Sequence, residues 1–110
     1  MSCIFCGLIA DPALESLARD DDVVAIADIN PQAPVHFLVV PRRHIATVSE
    51  LDDERLLGRI FAMAHRVAAG RGLAESGYRL VFNQGSDGGQ TVHHVHLHVL
   101  GGRQLTWPPG

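Results

Sequence analysis

Residues 93–98 read HHVHLH and place four of the chain's seven histidines within six positions. His94, His96 and His98 alternate with Val95, Leu97 and Val99, and a strand projects alternate residues from one face. The spacing predicts three imidazoles in a row, with the aliphatic side chains in the layer behind. An imidazole can serve near neutral pH as nucleophile, acid, base or metal ligand. Directly before this row, residues 83–91 read NQGSDGGQT. Three glycines there let backbone amides turn toward an anion, and Ser86 and Thr91 add hydroxyls. Alone, such a loop is more often a plain hairpin turn. Beside three same-face imidazoles it points to phosphate chemistry, in which one neutral ring attacks phosphorus and a neighbour holds the phosphate or protonates the leaving group. A second reading stays open at this point: a metal-dependent hydrolase or metal-storage module with all three alternating histidines as ligands.

Elements able to position these groups are legible on either side. Residues 3–9 predict a short helical turn ending near Asp11-Pro12. Pro12 to Arg19 has helical propensity, and Asp20-Asp21-Asp22 reads as a turn. Val23–Ile26 and residues 36–41 (HFLVVP) read as strands separated by Asn30-Pro31 and Ala33-Pro34. The clearest helix has Ser49 as its expected N-cap and Asp52, Asp53 and Glu54 in its first turn. Leu57, Ile60, Phe61, Ala64 and Ala68 repeat at helical steps, and Gly70 or Gly72 ends the run. YRLVFNQG, residues 78–85, is the next strand, forming a hairpin-like pair with the histidine strand. The order predicts an α+β fold with a mainly antiparallel sheet and helical cover.

Residues 1–110 are expected to form one domain. A net charge of −3, with no basic run beyond Arg42-Arg43, argues against a nucleic-acid partner. Nothing in the sequence reads as a secretory leader or a membrane span, so a cytoplasmic protein is expected. Cys3 and Cys6 form one C-x-x-C, which in a reducing compartment suggests metal or redox chemistry before a disulfide.

HVHLHVL, residues 94–100, resembles the signature of the histidine-triad (HIT) superfamily of nucleotide hydrolases and transferases. DINPQAPVHFLVVPRRHI, NQGSDGGQTV and the ending HVHLHVLGGRQLTWPPG are similar to the Hint branch, and the similarity runs from Ile4 to Gly110. The resemblance implies a HIT-like fold, with a five-stranded sheet and one long and one short helix, and a homodimer in which two such sheets join. It also implies hydrolysis of purine nucleoside phosphoramidates and aminoacyl-adenylates, by a hydrolase acting on P–N bonds of the adenosine 5′-monophosphoramidase type. Carried over by position, His96 is the nucleophile forming a nucleotidyl-histidine intermediate. His98 contacts the phosphate and assists proton transfer. Asn83, Gly89 and Thr91 position the phosphate and leaving group; the family usually has serine at the place of Thr91, and the added methyl narrows the leaving-group side. Asp28 takes the ribose hydroxyls, and Phe5, Leu8, Ile26, Ile29 and Leu38 form the apolar slot for the base. On residue type alone those five are ordinary core positions, and Asp28 is equally a strand-end turn residue. A non-catalytic nucleotide sensor is the remaining alternative.

Cys3 and Cys6 supply half of a structural zinc site. Bacterial histidine-triad proteins that keep this C-x-x-C complete it with two histidines, and the resemblance assigns His44 and His94. A closed four-ligand site is structural, so no catalytic metal is expected. The rivals are a redox pair and two idle thiols; no βαβ pattern surrounds Cys3. Trp107, the only tryptophan, lies in TWPPG. The resemblance places this tail near the partner's active site, against the alternative that Trp107 packs on its own chain. His36, His65 and His93 receive no role, with support of His96 by His36 kept as an alternative.

Overall fold

The structure is a computed structural model and describes residues 3–110. A short helix α1 (Ile4–Ala10) leads into strands β1 (Ala18–Arg19), β2 (Val23–Ala27) and β3 (Val35–Pro41). A long helix α2 (Glu54–Gly70) follows, then β4 (Tyr78–Val81) and β5 (Leu97–Gly101). The sheet order is β1-β2-β3-β5-β4 and each pairing is antiparallel. The expected α+β architecture, with five strands, one long helix and one short helix, is therefore present. No helix among the described residues is long and apolar enough to cross a membrane.

Both faces of the central strands are covered, which is why β2 and β3 read as unbroken apolar runs. Val23, Ala25, Phe37, Val39, Leu97 and Val99 pack with Ile60, Met63 and Ala64 of α2 on one face. Val24, Ile26, Leu38 and Val40 face the other way and pack with Phe5 of α1. One face is thus the main core. The other is a thinner layer under α1, and the polar chemistry lies there.

Local differences from the sequence reading have local causes. Residues 12–17 form no helix; Leu17 donates its amide to Ala25 O at 2.8 Å, so sheet pairing overrides propensity here. Ser49 does not cap α2, because Val48–Glu50 form a 3-10 turn. Asp53 caps instead, its Oδ1 accepting from the Leu56 amide at 3.1 Å. Gly70 is the last helical residue, and Gly72 (φ +80°) takes the left-handed position that closes the helix. β4 stops at Val81, and β5 starts only at Leu97, so His94 and His96 precede regular pairing. There the Val95 amide bonds Ile45 O at 2.7 Å, and Val95 still joins the core. The alternation of side chains outlasts the ladder.

Candidate active site

Between α1 and the thinner face lies a cleft of about 310 Å³. Phe5, Leu8, Ile26 and Leu38 give it apolar lining, and Asp28, Ile29, Asn83, Gly89, Thr91, His96 and His98 complete the lining. The structure therefore brings every expected nucleotide-site residue to one cavity. Ile29 differs in kind from the other apolar residues: it follows β2 into a bend and is 98% exposed, so it edges the slot without forming its wall. Ile4, Ala27 and Val92 also line the cleft, without having been expected there.

Hydrogen bonds fix which nitrogen each imidazole presents. His96 donates Nδ1–H to His94 O at 2.7 Å, leaving Nε2 as the lone-pair nitrogen. Phe5 packs edge-on against the same ring, 5.1 Å between centroids, and holds its rotation. A second chain sets His98. The Gln32 amide donates to His36 Nδ1 at 3.0 Å, so the neutral His36 ring carries its proton on Nε2. That Nε2–H donates to His98 Nδ1 at 2.9 Å, and His98 in turn carries its proton on Nε2. Asp28 Oδ2 stands 3.4 Å from His36 Nε2, while Oδ1 of the same carboxylate accepts from the Asn30 amide at 2.8 Å. Asp28 therefore serves the turn and faces the histidines at once. Burial, with His96 and His36 beside it, pushes His98 down to about 4, and Asp28 only partly opposes this. His98 is therefore neutral at neutral pH.

His36 bonds His98 and not His96. The β3–β5 register pairs His36 with Leu100 and Leu38 with His98, which makes His36 the diagonal neighbour of His98. Such a relation depends on long-range register and has no local signature. A usable signal was that His36, like Leu38 and Val40, falls on the cleft face of its strand. His65 is exposed and meets the Tyr78 hydroxyl, away from the cleft.

The glycine loop is built more tightly than a plain turn requires. Gly85 (φ +72°) and Gly89 (φ +80°) occupy left-handed backbone, and a Cβ on Gly88 would stand 2.3 Å from Gln84 O. Gln90, which the sequence reading passed over, is buried and staples the loop. Its Nε2 donates to Ala46 O at 2.8 Å and Val92 O at 3.1 Å, and its Oε1 accepts from the Gly85 amide. The amides of Gly89 and Gln90 close on Ser86 O and Gly85 O. The amides of Gly85, Gly89 and Gln90 are thus committed within the loop. Thr91 and Asn83 line the cleft from this loop; Ser86 does not.

At the other end of the row, Cys3, Cys6, His44 and His94 bring four ligand atoms within 4.8 Å of one another. The His44 Nδ1–His94 Nδ1 separation is 3.2 Å, and the three measured sulfur–nitrogen separations are 3.3, 3.4 and 3.5 Å. A tetrahedral zinc with ordinary bond lengths has N–N edges of about 3.3 Å and S–N edges of about 3.6 Å. His94 Nε2–H donates to Pro41 O at 2.8 Å, which turns a bare Nδ1 toward the sulfurs. Burial, with His44 and His96 nearby, holds His94 below the usual histidine value and so neutral. The donor set fits a zinc ion. The alternative of one metal on the three alternating histidines fails on the same geometry. His94 joins the cysteines, whereas His98 clusters with Asp28 and His36 and His96 enters neither group.

A family model described as the HIT domain matches residues 14–105. The chain belongs to the HIT family. Among solved structures similar to this HIT chain is a HIT family hydrolase from Legionella pneumophila Philadelphia 1. It is 47% identical, with 99% of this chain and 100% of that one covered and a TM-score of 0.92. A histidine triad nucleotide-binding protein from Candida albicans is 28% identical, covering 97% of this chain and 83% of its own, with a TM-score of 0.81. A Zn-bound histidine triad family protein from Mycobacterium smegmatis is 31% identical, covering 94% and 76%, with a TM-score of 0.79. In this HIT chain the histidine row is thus divided: His94 faces the cysteine cluster, while His96 and His98 line the cleft.

Proposed function

We propose that this HIT chain hydrolyses purine nucleoside phosphoramidates and aminoacyl-adenylates through a nucleotidyl-His96 intermediate, releasing a nucleoside monophosphate. The observation that carries this reading is the pair of fixed tautomers, a bare Nε2 on His96 beside an N–H on His98. The base lies in the slot of Phe5, Leu8, Ile26 and Leu38, with Ile29 at its rim. Asp28 takes the ribose hydroxyls, and Asn83, Gly89 and Thr91 border the phosphate. The bound phosphate anion favours a protonated His98, whose second proton enters at Nδ1 and requires His36 to give up its Nε2–H donation there. His96 Nε2 attacks phosphorus, the P–N bond breaks, and His98 gives its Nε2 proton to the departing nitrogen. Water then displaces His96 in a second step, returning a proton to His98 and freeing the monophosphate.

Zinc at Cys3, Cys6, His44 and His94 is proposed as a structural ion that ties α1 to the segment carrying His96. The name of the Mycobacterium smegmatis relative supports this metal. Burial and the Cys3 thiol push the Cys6 thiol up, so uptake of the ion must displace a proton. A homodimer is proposed as well. β4 is a free sheet edge, and Trp107 is 81% exposed in place of packing on its own chain, as a residue reaching a partner would be. A reducing, cytoplasmic setting suits the two free thiols.

The test is a panel of adenosine and guanosine phosphoramidates, aminoacyl-adenylates and dinucleoside polyphosphates, assayed with and without chelator and followed by rapid-quench mass spectrometry. Chelator-insensitive turnover with one nucleotidyl adduct per chain is expected. Nucleotide binding with no turnover would leave a sensor. Loss of turnover within seconds of chelation, before unfolding, would move the chemistry to the metal.

A further inference from the structure

Phe5 stands between Cys3 and Cys6 in the chain, and α1 therefore belongs to two sites at once. Cys3 and Cys6 give two of the four ligand atoms in the metal-fitting cluster. Ile4, Phe5 and Leu8 line the nucleotide cleft. The Phe5 ring touches both sides of the divided histidine row. Its centroid lies 5.9 Å from that of His94 and 5.1 Å from that of His96, edge-on to each. We propose that α1 docks as one unit, so that zinc at the cluster and a nucleotide base in the slot strengthen each other's binding, with Phe5 as the coupling residue. The inference rests on the zinc site and the nucleotide slot proposed above.

Little besides these two groups holds α1 down. It has seven residues, and isolated helices shorter than about 12–15 residues are marginal in water. No acidic residue lies in its first turn and no basic residue in its last, so its dipole is uncompensated. Its cap is the Cys3 sulfur, which accepts from the Cys6 amide at 3.5 Å. Phe5 is its one buried residue, whereas Ile4 is 61% exposed. Among the described residues, every hydrogen bond joining residues 3–10 to the chain beyond Asp11 runs through a sulfur, to His44 or His94. Thiols are weak donors and acceptors, and a zinc ion would replace these contacts by direct ligation.

Two states follow from this. With α1 docked, Phe5 closes the slot and packs on His96. With α1 detached, the slot loses Phe5 and Leu8 while the cluster loses both sulfurs. Each ligand binds the docked state better, so each shifts the population toward the state that the other needs. Linkage makes the two factors equal. Detachment can be local, because the main core under α2 contains no residue of α1. An ion also has a way in: Cys3 and Cys6 are half-buried, and the exposed His44 lines a cavity of about 470 Å³ with them. Saturating substrate holds α1 docked by itself, so turnover at saturation stays insensitive to chelator.

Two matched probes test this: adenosine monophosphate and ribose 5-phosphate, which keeps the sugar and phosphate but lacks the base. Both are titrated by calorimetry and NMR on wild-type protein, zinc-loaded and after chelation. Zinc removal should weaken adenosine monophosphate about tenfold, inside the roughly 5- to 150-fold span of ordinary coupling, and leave ribose 5-phosphate within about twofold. Adenosine monophosphate should raise the affinity for zinc by the same factor, read by competition with a chelator. Hydrogen exchange of the zinc-free chain should speed up at the amides of residues 7–10 and stay slow in α2. Phe5→Ala should still take up zinc, with neither affinity depending on the other ligand, and Phe5→Leu should recover part of the coupling. Equal Kd values for adenosine monophosphate with and without zinc would overturn the proposal. So would an equal zinc dependence of the two probes, or exchange that speeds up in α2 as well, since zinc would then act on the whole fold. The readings beneath it fail separately, and take it with them: no zinc uptake rejects the metal site, and no binding of adenosine monophosphate by zinc-loaded protein rejects the slot.

Discussion

At one end of the histidine row, His44 and His94 turn Nδ1 atoms toward each other across 3.2 Å with two sulfurs beside them. At the other, His36 Nε2 and His98 Nδ1 meet across 2.9 Å. The distances are nearly equal and the chemistry is opposite. The far nitrogen makes the difference: His94 commits Nε2–H to Pro41 O and so presents a lone pair, whereas His36 accepts at Nδ1 from Gln32 and so presents a proton. One pair suits a cation. The other is already joined by a hydrogen bond. An imidazole's task is thus set on the side facing away from it.

Mutations that strike one end and spare the other separate the two roles. The largest effect should come from His96→Ala, which removes the nucleophile but neither the slot nor the metal-fitting cluster. Turnover should fall by about 10⁴-fold or more with nucleotide affinity within a few fold of wild type, measured by steady-state kinetics and calorimetry. Near-normal turnover would end the covalent mechanism.

Cys6→Ser should do the reverse. Metal analysis should find close to one zinc per wild-type chain and none in the variant. Stability should drop by roughly 4 kcal/mol in thermal unfolding, with measurable activity persisting while the chain is folded. Equal melting temperatures with and without zinc would make the cysteines idle.

A pH series sharpens the relay end. His98 lies at about 4 in the folded chain and near the ordinary ~6.5 when unfolded. The unfolded state therefore binds more protons between those values. Its contribution is fully present above about pH 6.5 and declines as the pH falls toward 4, by on the order of 3 kcal/mol in total. Denaturant unfolding of wild type and His98→Gln across this range should show the slope in the first and its loss in the second. Parallel curves would mean that His98 titrates normally.

The smallest effect is expected from His36→Ala, which lets His98 exchange tautomers without touching substrate. A fall of about 10- to 100-fold in kcat with KM nearly unchanged is expected. Nitrogen chemical shifts of His98 should move from one tautomer to a mixture. An unchanged spectrum would sever the relay.

What could be seen in the chain before its structure follows the range of each interaction. α2 and the two central strands were legible because their periodicities are local, and the expected cleft residues are brought together in one cavity. Ser49 is not the cap because it lies inside the 3-10 turn Val48–Glu50, which is followed by the buried Leu51. His36 and Gln90 stayed hidden for a different reason. Their partners, His98 and Ala46 O, lie 62 and 44 residues away and are fixed by sheet register and loop closure. Ile29 has the right type for a slot wall, but the bend after Asp28 carries it into solvent.

A slip of β5 by one residue against β3 would exchange His96 and His98 with Leu97 and Val99, sending imidazoles under α2 and aliphatic chains into the cleft. Each imidazole buried without a partner costs about 1–3 kcal/mol, so the neighbouring registers are excluded before any ligand binds. The strand proofreads its own pairing. Residues 83–91 then have no need to measure out the register by their length. Substitutions at loop positions outside Asn83, the glycines, Gln90 and Thr91 can then accumulate without displacing the nucleophile, and the strand stands still.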